Sequence, residues 1–268
     1  MVKVGAIIQA RLGSERLPNK ALLPLPFSGG PALLQHVINR AKAATKVDEV
    51  IVATTENTAD NAIESLCKEQ AIVFFRGDEQ DVLDRFVKAA ANYNLDIIVR
   101  LTGDNPFISP ETIDAAIQHH IYKDADYTIT EGLPLGTNIE VISFSALKLA
   151  ADKASEQADR EHVTPYVRRE AGFNRLTIPF DFPVKDLRLT VDYPSDYALA
   201  SLLFEKMYPA QHLFGFEEIV ELLQKNLWLK DVNAGNTQRT AFADEADEIQ
   251  QAKQLLQKAG FTRALTRL

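Results

Sequence analysis

Val2-Lys3-Val4-Gly5-Ala6-Ile7-Ile8-Gln9-Ala10-Arg11-Leu12-Gly13-Ser14-Glu15-Arg16-Leu17-Pro18-Asn19-Lys20 opens the chain, and its two halves follow different rules. Val2 to Ile8 is apolar and β-branched, the pattern of a strand buried on both faces of a parallel sheet. From Gln9 onward the apolar run gives way to a loop carrying Arg11, Arg16 and Lys20. A strand ending this way delivers its loop to the crevice where open α/β sheets hold ligands. Gly13 allows close approach of the backbone or a positive φ, and Ser14 adds a hydroxyl donor. Arg11 and Arg16 offer planar forks for phosphate oxygens and Lys20 a compact point charge. The set suits a triphosphate; the alternative is a solvated loop whose arginines pair with acidic neighbours.

Working outward, strand and helix patterns alternate strictly. Pro31 to Ala44 places Leu33, Leu34, Val37, Ile38 and Ala41 on one helical face, with Pro31 suited to the first turn. Strands are predicted at Val50 to Ala53, Ala71 to Phe75 and Asp96 to Leu101, and helices at Thr58 to Gln70 and Asp81 to Tyr93. Alternation of this kind means right-handed βαβ units and a doubly wound, mostly parallel α/β sheet. The second half is less regular, a small α+β region. Asp126 to Thr130, Asn138 to Ile142, Arg175 to Ile178 and Leu187 to Val191 read as strands. Phe144 to Ala154 and Asp159 to Glu170 read as helices, the second kinked near Pro165. Residues 1–235 form one domain in this reading, and 236–268 a helical extension in which Asp244 to Ala259 is amphipathic and ends at Gly260.

Composition narrows the classes. A chain of 268 residues with 46% hydrophobic and 25% charged residues can bury a sizeable core. A formal net charge of -8 argues against nonspecific binding to nucleic acid, so the loop cations read as a local site for one anionic ligand. The single cysteine, Cys67, rules out an intrachain disulfide and a cysteine-rich zinc site and reads as a packed thiol. No apolar run reaches the roughly 18 residues of a membrane span, and the start passes directly into a strand, so the expectation is a cytoplasmic protein.

Two aspartates stand out because each follows a predicted strand. Asp104, in Thr102-Gly103-Asp104-Asn105-Pro106-Phe107, reaches the carboxyl edge of the sheet beside the first loop. Asp192, in Leu189-Thr190-Val191-Asp192-Tyr193-Pro194-Ser195-Asp196, ends the last predicted strand. Carboxylates on a rigid sheet edge suit Mg²⁺, which takes one or two of them together with phosphate oxygens and water. The alternative for Asp104 is a cap on the helix beginning near Pro110, a place Ser109 fills better. For the helix beginning at Pro194, Tyr193 or Ser195 is the expected cap.

The loop and these two motifs, in this order, resemble the cytidylyltransferases that make CMP-activated sugar acids, nearest to the branch typified by the spore coat polysaccharide biosynthesis protein SpsF. The resemblance spans most of residues 1–235. It implies a Rossmann-like nucleotidyltransferase that transfers CMP from CTP to an acceptor oxygen and releases pyrophosphate. It also implies Mg²⁺ held by Asp104 and Asp192, and nucleotide contacts from Ala10, Arg11, Gly13, Ser14, Arg16, Lys20 and Gly103. Arg11, Lys20, Asp104 and Asp192 are the catalytic candidates. Arg76-Gly77-Asp78 to Arg85 matches a segment near the base and ribose in relatives. Arg76 and Arg85 are the ligand candidates there, whereas Asp78 and Asp81 read better as helix caps. Pro134 to Val141 and Asp159 to Thr164 resemble acceptor-side segments. In them Glu140 and His162 could orient or deprotonate an acceptor oxygen, though a histidine satisfied by its helix neighbours fits His162 as well. Homodimerisation through about 135–185 is a further implication. Two rivals stay open: a uridylyl- or guanylyltransferase, and a nucleotide-binding partner without catalysis.

Overall fold

Ala6 and Ile8 of β1 (Val4–Gln9) are fully buried on one face of a sheet and Ile7 is fully buried on the other. This two-residue period fixes the layers on either side of the sheet. The computed structural model describes residues 2–184, 186–236, 245–258 and 263. After β1 come α1 (Leu33–Ala43), β2 (Glu49–Thr55), α2 (Asn61–Glu69), β3 (Val73–Gly77), α3 (Val82–Asn92), β4 (Ile97–Thr102) and α4 (Pro110–Tyr122). Then follow β5 (Tyr127–Glu131), β6 (Glu140–Ser143), α5 (Phe144–Lys153), α6 (Gln157–His162), α7 (Pro165–Arg169) and β7 (Arg175–Pro179). The helices α8 (Pro194–Met207), α9 (Phe216–Lys225) and α10 (Glu245–Lys258) complete the order. The chain divides into two compact units, residues 1–236 and 237–268, with α10 in the second.

The sheet runs β3-β2-β1-β4-β6-β5-β7. All neighbours pair parallel except at β6, which runs antiparallel to β4 and to β5. On the face of Ala6 and Ile8 pack Val37 and Ile38 of α1, Ile63 and Cys67 of α2, Ile113 and Ile117 of α4, and Leu199 and Leu203 of α8. On the face of Ile7 pack Leu83 and Phe86 of α3, Leu147 of α5 and Val167 of α7. Cys67 is the expected packed thiol, and burial pushes its pKa up to about 11.

Topology makes the crevice. From β1 the chain passes through α1 to β2 on one side, and β4 comes to lie on the other side of β1. Loops leaving the carboxyl ends of β1 and β4 therefore diverge at a topological switch point. Gly103 keeps them in contact: its N–H donates to Gln9 O at 2.8 Å, and a Cβ there would lie 3.1 Å from Ala10 Cβ.

The structure revises several sequence expectations. Leu187 to Val191 is not a sheet strand; beyond one bridge between Arg188 and Leu135, its backbone bonds to loops. Leu189 N and Thr190 N donate to Leu135 O, and Val191 N donates to Asp104 O. Its leucines and valine are buried all the same, which is why the pattern read as a strand. The single helix at 159–170 is two, because Val163 takes φ 72° and Pro165 starts α7 afresh. Pro31 lies outside α1, which begins at Leu33; its carbonyl accepts from Leu25 N. Gly260, the expected stop of the last helix, lies outside the described residues.

Candidate active site at the switch point

Lys20 sits in a single 3-10 turn, Lys20–Leu22, entered through Asn19 in the left-handed conformation at φ 56°. Its Nζ donates to Asp104 Oδ2 and to Asp192 Oδ1, both at 2.7 Å. Residues 84 and 172 positions away in sequence thus converge on one ammonium. Burial acts to lower the Lys20 pKa, but the two carboxylates together outweigh it and hold the ammonium above the ordinary lysine value. Burial likewise acts to raise Asp104, and Lys20 with the Thr102 hydroxyl holds its carboxyl below the usual range. Lys20 and Asp104 are therefore both charged at neutral pH.

Asp192 is gripped from two sides. Its Oδ2 accepts from Arg188 Nη2 at 2.9 Å, and Arg16 Nη2 stands 3.6 Å from its Oδ1. Arg16 also lies over the Tyr193 ring, 4.5 Å from the centroid, and donates to the Tyr193 hydroxyl at 3.2 Å. Sequence reasoning missed Arg188, although a lone arginine inside the apolar stretch Leu187 to Val191 was a signal of a paired buried charge. Tyr193 is the N-cap of α8, as expected.

The first loop is pinned by its backbone. Ala10 N donates to Ala53 O at 3.2 Å, and Leu12 N donates to Asp60 Oδ1 at 2.7 Å. Asp60 is buried, accepts from the Thr55 hydroxyl as well, and is a second residue sequence reading did not find. Arg11 extends to Glu79, Nη1 to Oε1 at 3.0 Å, with both side chains exposed. Gly13 does not take a positive φ, and the nearest atom to a Cβ there would be Glu79 Oε1 at 3.6 Å, so the glycine leaves open room beside the loop.

The second segment separates its two arginines. Arg85 is buried, donates from Nη1 to Asp78 O at 2.6 Å, and among the described residues has no partner for Nε. Burial and then repulsion from Arg11 bring its pKa down to about 10, which places it electrostatically beside the first loop. Arg76 is a correction. Its donors go to Thr55 O, Asn61 Oδ1, Glu64 Oε2 and Asn57 O at 2.6–2.8 Å, so it staples β2, β3 and α2 together and has no fork left for a nucleotide. Asp81 caps α3 by accepting from Asp84 N, and Asp78 accepts from Gln80 N and Asp81 N.

Neither acceptor candidate joins the Lys20 cluster. Glu140 is buried, paired with Arg100 at 2.5 Å across β4 and β6, and accepts from the Tyr127 and Thr164 hydroxyls. Burial acts to raise its pKa, but Arg100 and the two hydroxyls hold it below the ordinary value, so it is a clamped structural anion and not a poised base. His162 is exposed at the end of α6, and its ring makes no hydrogen bond among the described residues.

With this geometry in view, similarity to known proteins is decisive. The cytidylyltransferase family model matches residues 5–239. The chain belongs to the cytidylyltransferase family. It is 37% identical over 228 residues to the spore coat polysaccharide biosynthesis protein SpsF of Bacillus subtilis (strain 168), covering 82% of this chain and 93% of that protein. It is 29% identical to the 3-deoxy-manno-octulosonate cytidylyltransferase of Anaeromyxobacter sp. (strain K), covering 96% and 98%. The solved structure of a cytidylyltransferase from Leptospira borgpetersenii serovar Hardjo-bovis (strain JB197) superposes with a TM-score of 0.80 at 30% identity, covering 90% of this chain and 100% of that one.

The donor set here suits a metal ion. Asp104 and Asp192 bring two hard oxygen donors of the kind such an ion takes to a single point. Among the described residues no group of three or more His, Cys, Asp or Glu side chains is placed to hold a metal ion by itself. A cation here would complete its shell with phosphate oxygens and water, the habit of Mg²⁺. Among the described residues no helix is long and apolar enough to cross a membrane.

Proposed function

We propose that this cytidylyltransferase transfers CMP from CTP to an acceptor oxygen of a sugar acid or related glycan precursor, with Mg²⁺ held by Asp104 and Asp192. The convergence of both carboxylates on Lys20 at the switch point carries the reading. Arg11, Arg16 and Lys20 hold the triphosphate, with Gly13, Ser14 and Gly103 giving the nucleotide room at the sheet edge. When bound, the ion neutralises charge on the phosphates. The acceptor oxygen bonds to the α-phosphorus as the α–β bridging bond breaks, pyrophosphate leaves with the bonding electrons, and the acceptor proton passes to solvent. Lys20 and Arg16 stabilise the charge that builds on pyrophosphate. Positioning and electrostatics carry phosphoryl transfer, so no covalent enzyme intermediate is required.

The names of the relatives support the acceptor class, since one acts in polysaccharide biosynthesis and another on an octulosonate. The same reading includes a homodimer through about 135–185, where β7 is the outermost strand of the sheet. The test is nucleotide choice followed by turnover. CTP with Mg²⁺ raises the thermal midpoint more than ATP, GTP or UTP at equal concentration. A panel of ulosonic acids, other sugar acids and neutral sugars is then assayed for pyrophosphate release. Equal stabilisation by UTP or GTP overturns the cytidylyl choice, and release with neutral sugars alone overturns the acid acceptor.

A further inference from the structure

Asp196 accepts more hydrogen bonds than a helix cap requires. At the third position of α8 it takes the backbone N–H groups of Asp192 and Tyr193 on Oδ2, both at 3.0 Å. It also accepts from Arg188 Nε at 3.0 and 3.1 Å, and its Oδ1 receives Asn233 Nδ2 at 2.9 Å and Asn236 Nδ2 at 2.7 Å. Arg188, Asp196 and Asn233 are all buried. Asn233 Nδ2 further donates to Arg188 O at 3.0 Å, and Asn236 Oδ1 accepts from Ser195 Oγ at 3.0 Å. Arg188 then presents Nη2 to Asp192 Oδ2. The carboxylate aimed at Lys20 is therefore held at its backbone by Asp196 and at its far oxygen by Arg188.

The charges explain why both partners are present. An arginine touching Asp192 would by itself repel a cation at that site and weaken its hold on metal. Asp196 pairs with that arginine and cancels its charge, leaving the directional hydrogen bond. A carboxylate locked in one rotamer binds metal with less loss of side-chain freedom than a free one, which is how outer partners tune a metal site.

We propose that Asp196, with Asn233 and Asn236 behind it, is a positioning residue that acts through Arg188 to orient Asp192 toward the metal and the nucleotide. The proposal rests on the metal role of Asp192 given above. It extends the working core to residue 236, more than 40 positions past Asp192.

The experiment measures Mn²⁺ affinity, from the electron paramagnetic resonance signal of free Mn²⁺, in the presence of the α,β-methylene analogue of CTP. Binding of the same analogue in EDTA and the thermal midpoint are recorded in parallel. Asp196→Asn keeps the shape and removes the charge that cancels Arg188, and it weakens Mn²⁺ binding at least tenfold. Asn236→Ala touches only a half-buried residue and weakens it several-fold, with turnover recovering at excess Mg²⁺. Analogue binding in EDTA is unchanged in both. Should Asp196→Asn fail to fold, Asn236→Ala decides alone. A lowered thermal midpoint with unchanged Mn²⁺ affinity overturns the proposal and leaves Asp196 a helix cap. If Asp192→Asn itself leaves Mn²⁺ affinity intact, the metal site fails and the proposal falls with it, a result distinct from the first.

Discussion

Replacing Lys20 by methionine keeps most of the side chain's length and deletes the ammonium that two carboxylates share. The two contacts of 2.7 Å to one nitrogen leave the carboxylate oxygens at most about 5.4 Å apart, twice 2.7 Å. The side chains of Asp104 and Asp192 are 24% and 15% exposed, so an effective dielectric constant of about 20 applies, and unit charges at that distance repel by about 3 kcal/mol. Arg16 stays near Asp192 and reduces this to roughly 2 kcal/mol. Urea denaturation in EDTA at pH 7 and low salt measures the deficit against the parent protein. The repulsion raises one carboxylate's folded pKa above its unfolded value of about 3.9. A raised folded pKa on an acid makes the penalty full above that pKa and removes it below the unfolded one. The deficit therefore shrinks as pH falls from 7 toward 4. Millimolar Mn²⁺ fills the place of the ammonium and restores the variant's stability more than the parent's, while turnover stays lost. A variant as stable as the parent, a deficit flat with pH, or equal Mn²⁺ stabilisation of both proteins would refute the shared-charge argument.

Arg11→Ala removes an exposed pair with Glu79 that adds little stability, but under the proposed function it also removes a charge-assisted phosphate contact of roughly 1.5–3 kcal/mol. Steady-state kinetics shows kcat/KM for CTP falling by about one to two orders of magnitude at an unchanged melting temperature. His36 and His120 are buried with pKa values lowered to about 4, chiefly by burial. Each folded pKa lies below the unfolded value near 6.5, so stability present above pH 6.5 is lost as pH falls to about 4. The loss is on the order of 3 kcal/mol per histidine, and His120→Gln flattens that slope in pH-dependent denaturation. Gly136→Ala places a Cβ 2.7 Å from Thr190 N at a φ of 94°, where any L side chain is strained. Thermal denaturation shows a loss of at least about 1–2 kcal/mol.

The sequence by itself determined the alternation of the first half, because a buried parallel strand and an amphipathic helix each write a period into the chain. It also determined the Ser109 and Asp81 caps, whose partners lie within three residues. It singled out Lys20, Asp104 and Asp192 by residue type and by place after an apolar run. Tertiary structure decided what these groups do to one another. No local pattern could show that the ammonium stands between the two carboxylates, since that depends on the crossover that sets β4 beside β1. The same limit explains the misread residues. Arg76 and Glu140 carry side chains suited to ligands, but neighbours supplied by other elements consume their hydrogen-bonding capacity. Leu187 to Val191 alternates as a strand should, yet whether an extended segment joins a sheet depends on which backbone groups face it, and here those belong to Leu135 and Asp104. Periodicity is a property of a segment and can be read along the chain. The pairing of charges and backbone groups is a property of the packed whole, where a buried polar atom takes whichever partner the fold brings within reach.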